Sequence, residues 1–260
     1  MIRSLYSART GMNGQQMQLD TISNNLANVN TAGFKKSRVQ FEDLFYQNVR
    51  SAGTQTGDGG QVPTGIQVGM GVRPTSVTKI FTQGDYSETG NDLDWAIEGQ
   101  GFFQIMRNGQ EYFTRAGSFN RDSEGYIVTG NGDRLQPEFT IPQGTTTLAL
   151  DRTGNLTAID NQQNILASTQ MTLHNFVNPA GLKAVGENLF QETEASGAPI
   201  EGNPGSDGLG TLSQNYIETS NVNVTEELVN MIITQRAYEV NSKAVQTSDR
   251  LLEIVNGLIR

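Results

Sequence analysis

Residues 223–260 read NVTEELV NMIITQR AYEVNSK AVQTSDR LLEIVNG LIR, and the second place of every seven is apolar: Val224, Met231, Tyr238, Val245, Leu252 and Ile259. Leu228 lies on the same stripe, and Ile232, Leu251, Val255 and Leu258 widen it toward the end. A seven-residue apolar repeat corresponds to 3.5 residues per turn, so the stretch predicts a long helix whose seam seeks a partner helix rather than a sheet. Asn223 with Glu226 three residues later makes a capping-box start. At 1.5 Å per residue the helix would run roughly 55 Å. Gln235, Ser242, Asp249 and Asn256 are expected at the alternate seam positions, where polar residues weaken a pair but select its register.

The partner is expected at the other end of the chain. From Met1 to Val29 a three-and-four spacing reads Met1, Leu5, Ala8, Met12, Gln15, Leu19, Ile22, Leu26, Val29, apolar at every place but Gln15. Gly11 and Gly14 each cost about 1 kcal/mol relative to Ala in a helix interior, so this helix is weak until something packs on it. Two marginal helices with heptad seams at opposite ends predict one coiled coil closing the chain on itself. Two amphipathic core helices of an ordinary domain would give the same spacing.

Composition bears on that choice. Only 35% of the 260 residues are hydrophobic and 29 are Gly, which argues against a single thick core. All seven prolines fall between Pro63 and Pro204, outside both terminal segments. Charge is partitioned: residues 1–50 carry six basic and three acidic side chains, residues 51–220 eight and nineteen, and residues 221–260 four and five. An acidic middle without a basic, aromatic-studded patch excludes nucleic acid and anionic membranes as partners. There is no Cys, hence neither disulfide nor thiolate metal site. No stretch approaches the ~18 consecutive apolar residues of a membrane span, and the N-terminus lacks the apolar core of a cleaved secretory signal. The expectation is a chain without membrane insertion.

Between the helices the sequence has strand character. Lys35–Val49 carries Phe41, Leu44, Phe45 and Val49, a short apolar face on a helix or an extended segment. Residues 51–71 are rich in Gly, Thr and Gln and predict a long exposed loop or hairpin. Leu93, Trp95, Ile97, Phe103 and Ile105 share one period-two face, with a bulge expected at Gly99 and Gly101. Turn signals at 122–125 and 131–132, and strands near Thr147–Leu150, Asn155–Ile159, Ile165–Ala167 and Met171–Phe176, complete an antiparallel β domain. The fold class is α+β, mainly β. The expected plan pairs 1–33 with 223–260 as an inner coiled coil, 34–90 with 206–222 as an extended connector, and leaves 91–205 as the central β domain.

Catalytic constellations are nearly absent. The single His174 reads as a satisfied structural residue in a strand. Asp151-Arg-Thr-Gly-Asn155 begins like a calcium loop but lacks its closing Glu. Gly69-Met-Gly71 and Gly99-Gln-Gly101 do not continue as a dinucleotide fingerprint and open no helix. The reading is a non-enzyme with no catalytic, cofactor-binding or metal site. An envelope carbohydrate-binding β protein is the alternative from another class, weakened because Trp95 is the only Trp.

Three blocks carry a family resemblance. NNLANVNTAGFK at 24–35 resembles the N-terminal signature of the bacterial flagellar rod and hook proteins, on Asn24, Asn25, Asn28, Thr31, Gly33 and Phe34. DWAIEGQGFF at 94–103 resembles the entry to their β domain, and 220–245 resembles their C-terminal helix. The segment Leu182–Gly210 and the length are similar to the distal-rod branch; the proximal rod and hook-type branches are the alternatives within the family. The resemblance implies a structural subunit that leaves unfolded through the type III export apparatus and polymerises helically into a rigid hollow shaft. Leu5, Met12, Leu19, Ile22, Leu26, Val224, Leu228, Met231, Tyr238, Val245, Leu252 and Ile259 would then pack the axial helices. The segment from Tyr46 and Gln47 to Pro63 would stiffen the rod. The partners it implies are further copies of the chain, proximal rod proteins, the hook or hook-adaptor protein, the P- and L-ring proteins and the rod cap.

Overall fold

A computed structural model describes residues 2–53, 63–206 and 208–258. Helix α1 spans Ile2–Ala27 and helix α2 spans Val224–Leu258, and the described residues between them form strands joined by turns. The chain divides into two compact units: one of Met1–Leu26, Ser37–Thr78 and Asn223–Arg260, the other of Ala27–Lys36 and Lys79–Val222.

In the first unit α1 and α2 are antiparallel neighbours. Ser4 Oγ and Ser248 Oγ lie 3.4 Å apart, and Asn25 Nδ2 donates to Glu227 Oε2 at 3.3 Å. The start of α2 follows the cap expected for it: Glu226 N donates to Asn223 Oδ1 at 3.2 Å. The segment after α1 is extended. Strand Ser37–Asp43 pairs with Val72–Lys79, and Tyr46–Arg50 pairs antiparallel with Ile66–Gly69 as a hairpin. The Gly-rich residues 54–62, expected as a loop or hairpin, lie outside the described residues. Gly14 of α1 faces the Phe41 ring, where a Cβ would come within 3.1 Å of the ring edge. A helix-weakening Gly is there because the aromatic ring fills the space a side chain would take.

The second unit is antiparallel β throughout its registered pairs. Its largest sheet runs, in spatial order, Lys183–Gly186, Leu189–Gln191, Gln110–Thr114, Phe103–Arg107, Arg134–Gln136, Ile127–Val128 and Asn120–Arg121. A three-stranded sheet holds Thr145–Leu150, Asn155–Asp160 and Ile165–Gln170. Successive side chains of a strand point to opposite faces. Phe102 and Phe103 accordingly feed two different cores. Phe103 joins Trp95, Ile97, Ile105, Phe119 and Leu156, while Phe102 joins Phe113, Phe176, Leu182 and Phe190. The second cluster is nearly all aromatic, and its rings meet edge to face, as at Phe113–Phe176 with centroids 4.8 Å apart.

The single bulged strand expected through Trp95 and Ile105 is instead two strands. Trp95–Glu98 pairs with Thr211–Gln214, and Phe103–Arg107 pairs elsewhere. Gly99 and Gly101 have φ of +117° and +138° and turn the chain between them, a conformation open to Gly alone. Residues of both strands enter one core, which is why their period-two faces matched.

Candidate assembly surfaces and a buried ion cluster

The helix pair has a seam of its own. A Cβ on Gly11 would sit 2.9 Å from Asn241 Nδ2, so Gly11 faces Asn241. With Ser4–Ser248 and Asn25–Glu227, the three pairs of residue numbers share one sum, 252, as a fixed antiparallel register demands. The same register sets Gln18 opposite Thr234. The residues brought together are Ser4, Gly11, Gln18 and Asn25 against Glu227, Thr234, Asn241 and Ser248, two heptad series of polar or small side chains. On α2 the polar seam falls one residue before the expected Gln235, Ser242 and Asp249. Of the axial-packing residues read from the sequence, Ile22 is buried and Leu5, Met12, Leu19, Leu26, Met231, Val245 and Leu252 are half-buried beside this seam. Val224, Leu228 and Tyr238 are exposed, and Ile259 lies outside the described residues.

A second apolar row on α2 escaped the sequence reading except for Leu251, which was expected to widen the seam. Val229, Ile233, Val240, Leu251 and Ile254 stand 50–64% exposed. At 3.6 residues per turn they form a stripe about 60° wide, centred roughly 115° around the helix from the polar seam. The seven-residue step from Ile233 to Val240, interrupted by Thr247 and resumed at Ile254, was its signal. The hairpin is similarly bare: Phe45 is 90% exposed, and Tyr46, Val49 and Ile66 are about half exposed. Tyr46 lies opposite Gly69 and Gln47 opposite Val68, whereas Pro63 precedes the second strand in a bend.

The signature residues do different jobs. Asn25 is still helical and buried. It donates to Ser37 O and accepts from Ser37 N, both at 2.9 Å, pinning the first extended segment as a strand neighbour would. Asn24 is exposed. Asn28 and Thr31 close the turn after the helix, with Thr31 N on Asn28 O at 3.1 Å. Gly33 adopts φ +69° and donates its N–H to Glu218 O, and a Cβ there would lie 2.6 Å from Ala116 N. Phe34 is buried with the Lys79 ammonium 4.8 Å from its ring centre.

Next to Phe34 lies what spacing could not reveal. Lys35, only 1% exposed, donates to Glu218 Oε1 at 2.6 Å and to Thr82 O at 2.8 Å. Arg115, 4% exposed, reaches Glu218 Oε2 at 3.0 Å and donates to Gly99 O and Gly101 O at 2.8 and 2.7 Å. Gly84 N also donates to Glu218. Burial alone would raise the Glu218 carboxyl, but Arg115 and Lys35 together hold it below the ordinary range. Burial lowers the Lys35 ammonium, and the second cation beside it adds to that, against the pull of Glu218. One carboxylate thus serves two buried cations, and every partner is hydrogen-bonded. Such an arrangement orients strands and the signature loop; it offers no group free for catalysis. His174 is buried as expected but not satisfied: its Nδ1 has no partner among the described residues, and burial lowers its pKa.

No group of three or more His, Cys, Asp or Glu among the described residues could hold a metal, and no described helix is long and apolar enough to cross a membrane. Three family models match the chain. One described as flagella basal body rod protein covers residues 5–35, one described as flagellar hook protein FlgE/F/G D1 domain covers 96–158, and one described as flagellar basal body rod FlgEFG protein C-terminal covers 213–258. Full-length relatives agree. The flagellar basal-body rod protein FlgG of Buchnera aphidicola subsp. Acyrthosiphon pisum is 50% identical over 99% of this chain and all of its own. That of Borreliella burgdorferi is 45% identical over the whole of both chains, and that of Bacillus subtilis 37% over 98% and 99%. With identity of this level sustained from end to end, the chain belongs to the flagellar basal-body rod protein family, a family of structural proteins of the flagellar basal body.

Proposed function

We propose that the chain is the distal-rod building block, polymerising helically into a rigid hollow shaft that carries torque from motor to hook. The observation that carries this reading is the bare apolar row Val229, Ile233, Val240, Leu251 and Ile254 on the outer side of α2. Burying a whole aliphatic side chain contributes about 1.5–3 kcal/mol, so half-exposed ones hold back about 1 kcal/mol each. Five of them make about 5 kcal/mol, near the low end of the 4–15 kcal/mol that association costs. A single contact of this kind is therefore weak, whereas a subunit gripped from several sides is stable. That is the energetics of cooperative, heterologous polymerisation, in which contacts propagate instead of closing.

In this reading the two terminal helices, 1–33 with 223–260, form the inner coiled coil of the assembled shaft, the β domain 91–205 faces outward, and 34–90 with 206–222 connects them. The hairpin carrying Phe45, Tyr46, Gln47, Val49 and Pro63 packs between copies and stiffens the shaft. Proximal rod proteins and the hook or hook-adaptor protein would meet its two ends, the P- and L-rings and rod cap its surface, and the type III apparatus the unfolded chain. Deleting Gln47–Val62 tests this: a polymer that still forms but bends like a hook is expected by electron microscopy. Straight, stiff filaments from the deletion variant would remove the hairpin's role, and a wild-type protein that stays monomeric at every concentration would remove the polymer.

A further inference from the structure

We propose that the Gly11–Asn241 and Asn25–Glu227 contacts are register determinants, holding α1 and α2 at one axial offset and on one face, so that the apolar row of α2 stays outward for a second copy of the chain. The last clause rests on the assembly reading; the register does not. Asn25 has three of its hydrogen-bonding positions in play. Ser37 N and Ser37 O fix its amide, and the remaining N–H reaches Glu227. Glu227 is buried, so leaving it without that donor strands a carboxylate away from water. Three heptads' worth of offset separates Asn25–Glu227 from Ser4–Ser248, and Gly11–Asn241 lies between them as a hole and a knob.

Slippage by one heptad fails at both points. In one direction Asn241 meets Gln18 instead of Gly11, and Glu227 runs past Ala27, the last residue of α1. In the other, Asn241 meets Ser4 and Thr234 fills the Gly11 hole, while Asn25 has no helical partner. The apolar positions do not discriminate in this way, because a Leu or Val seam is nearly as comfortable one heptad over. The polar seam therefore accounts for the helix-weakening Gly at position 11, which gives up about 1 kcal/mol of helix propensity to admit one side chain in one register. A strongly apolar inner seam would also compete with the outer row for the same neighbours, and the polar one does not.

The absence of Cys makes the register directly readable in the full-length chain. The pair S4C/S248C reports the observed offset and S4C/V255C an offset slipped by one heptad; both are oxidised in dilute monomer. The parent background is expected to cross-link the first pair at least about tenfold faster than the second, as a buried hydrogen bond to a charge implies. Adding E227L and N241L is expected to bring the ratio close to one, while E227Q, which keeps an acceptor for Asn25, preserves it. Where E227L/N241L abolishes both cross-links by unpairing the helices, G11V is read instead and must lower the ratio. An unchanged ratio in E227L/N241L or in G11V overturns the proposal, as does disulfide formation mainly between copies in the parent. Failure to polymerise would leave these ratios intact and would count only against the assembly reading.

Discussion

Replacing Glu218 with Gln keeps the side chain's shape and removes its charge, and the consequence is set by what remains around it. Lys35 and Arg115 are buried at side-chain exposures of 0% and 4%, and their Nζ and guanidinium nitrogens lie 2.6 and 3.0 Å from the lost carboxylate. Breaking a buried pair by removing one partner costs about 3–5 kcal/mol, because a charge is left uncompensated. Here two cations face each other over a neutral amide, so the upper half of that range is expected. Units of 150–250 residues shift by about 2–4 °C per kcal/mol, which makes the fall in melting temperature about 8–20 °C. The assay is built in: the chain's one tryptophan, Trp95, is fully buried in the core of the same unit, and its emission reports that unit's melting alone. Lys35→Met should cost less, about 1–3 kcal/mol, since Thr82 O loses one donor but keeps Asn221 Nδ2 at 3.1 Å, and Glu218 stays paired with Arg115. The gap between wild type and Glu218→Gln also has a pH signature. Glu218 has a lowered folded-state pKa, so its contribution is present above the ordinary carboxylate value and disappears as pH falls through the lower one. The two melting curves should converge in acid, below about pH 4. A loss under about 1 kcal/mol at neutral pH, or a larger loss for Lys35→Met than for Glu218→Gln, would refute the account of one carboxylate neutralising two cations.

Two further substitutions test the second unit. Gly117→Ala places a Cβ 1.6 Å from Trp95 O, and the strand carrying Trp95 cannot give way because Trp95 N is hydrogen-bonded to Gly117 O at 2.9 Å; the expected result is a unit that does not fold, with Trp95 emission red-shifted at all temperatures, and a native-like spectrum would contradict the packing. His174 is buried with its folded-state pKa lowered, mainly by burial and against the pull of Glu201 and Glu111. Its neutral form is therefore required in the fold, and stability should fall as pH drops below about 6.5, where the unfolded chain takes up the proton. His174→Gln should flatten the stability curve below about pH 6.5, and an unchanged slope would place the titration elsewhere.

The parts of the structure that were legible in the sequence are those written in repeating hydrophobicity or in turn chemistry. The heptads of 224–252 give α2, the three-and-four spacing before Val29 gives α1, and period-two faces between turn signals give the strands from Thr145–Leu150 to Ile165–Gln170. Periodicity locates surfaces that leave water; it is silent about which residue meets which. The polar seam shows this most plainly. Gly11, Asn241, Asn25 and Glu227 add nothing to a hydrophobic repeat, so the eye settles on Leu5, Met12, Leu19 and Leu26, each one residue along from the positions that touch. The ion cluster is hidden for a different reason. Lys35 and Glu218 are 183 residues apart and Arg115 lies 103 from Glu218, and no spacing rule spans such distances. Both sets share a physical character: a buried charge or a buried amide is costly anywhere except beside its own partner. Apolar residues supply most of the free energy of this fold yet tolerate many arrangements, while these few polar ones tolerate one. In the assembly proposed above, with identical copies on every side, residues that reject the wrong neighbour have particular use, and those are the residues a hydrophobic reading passes over.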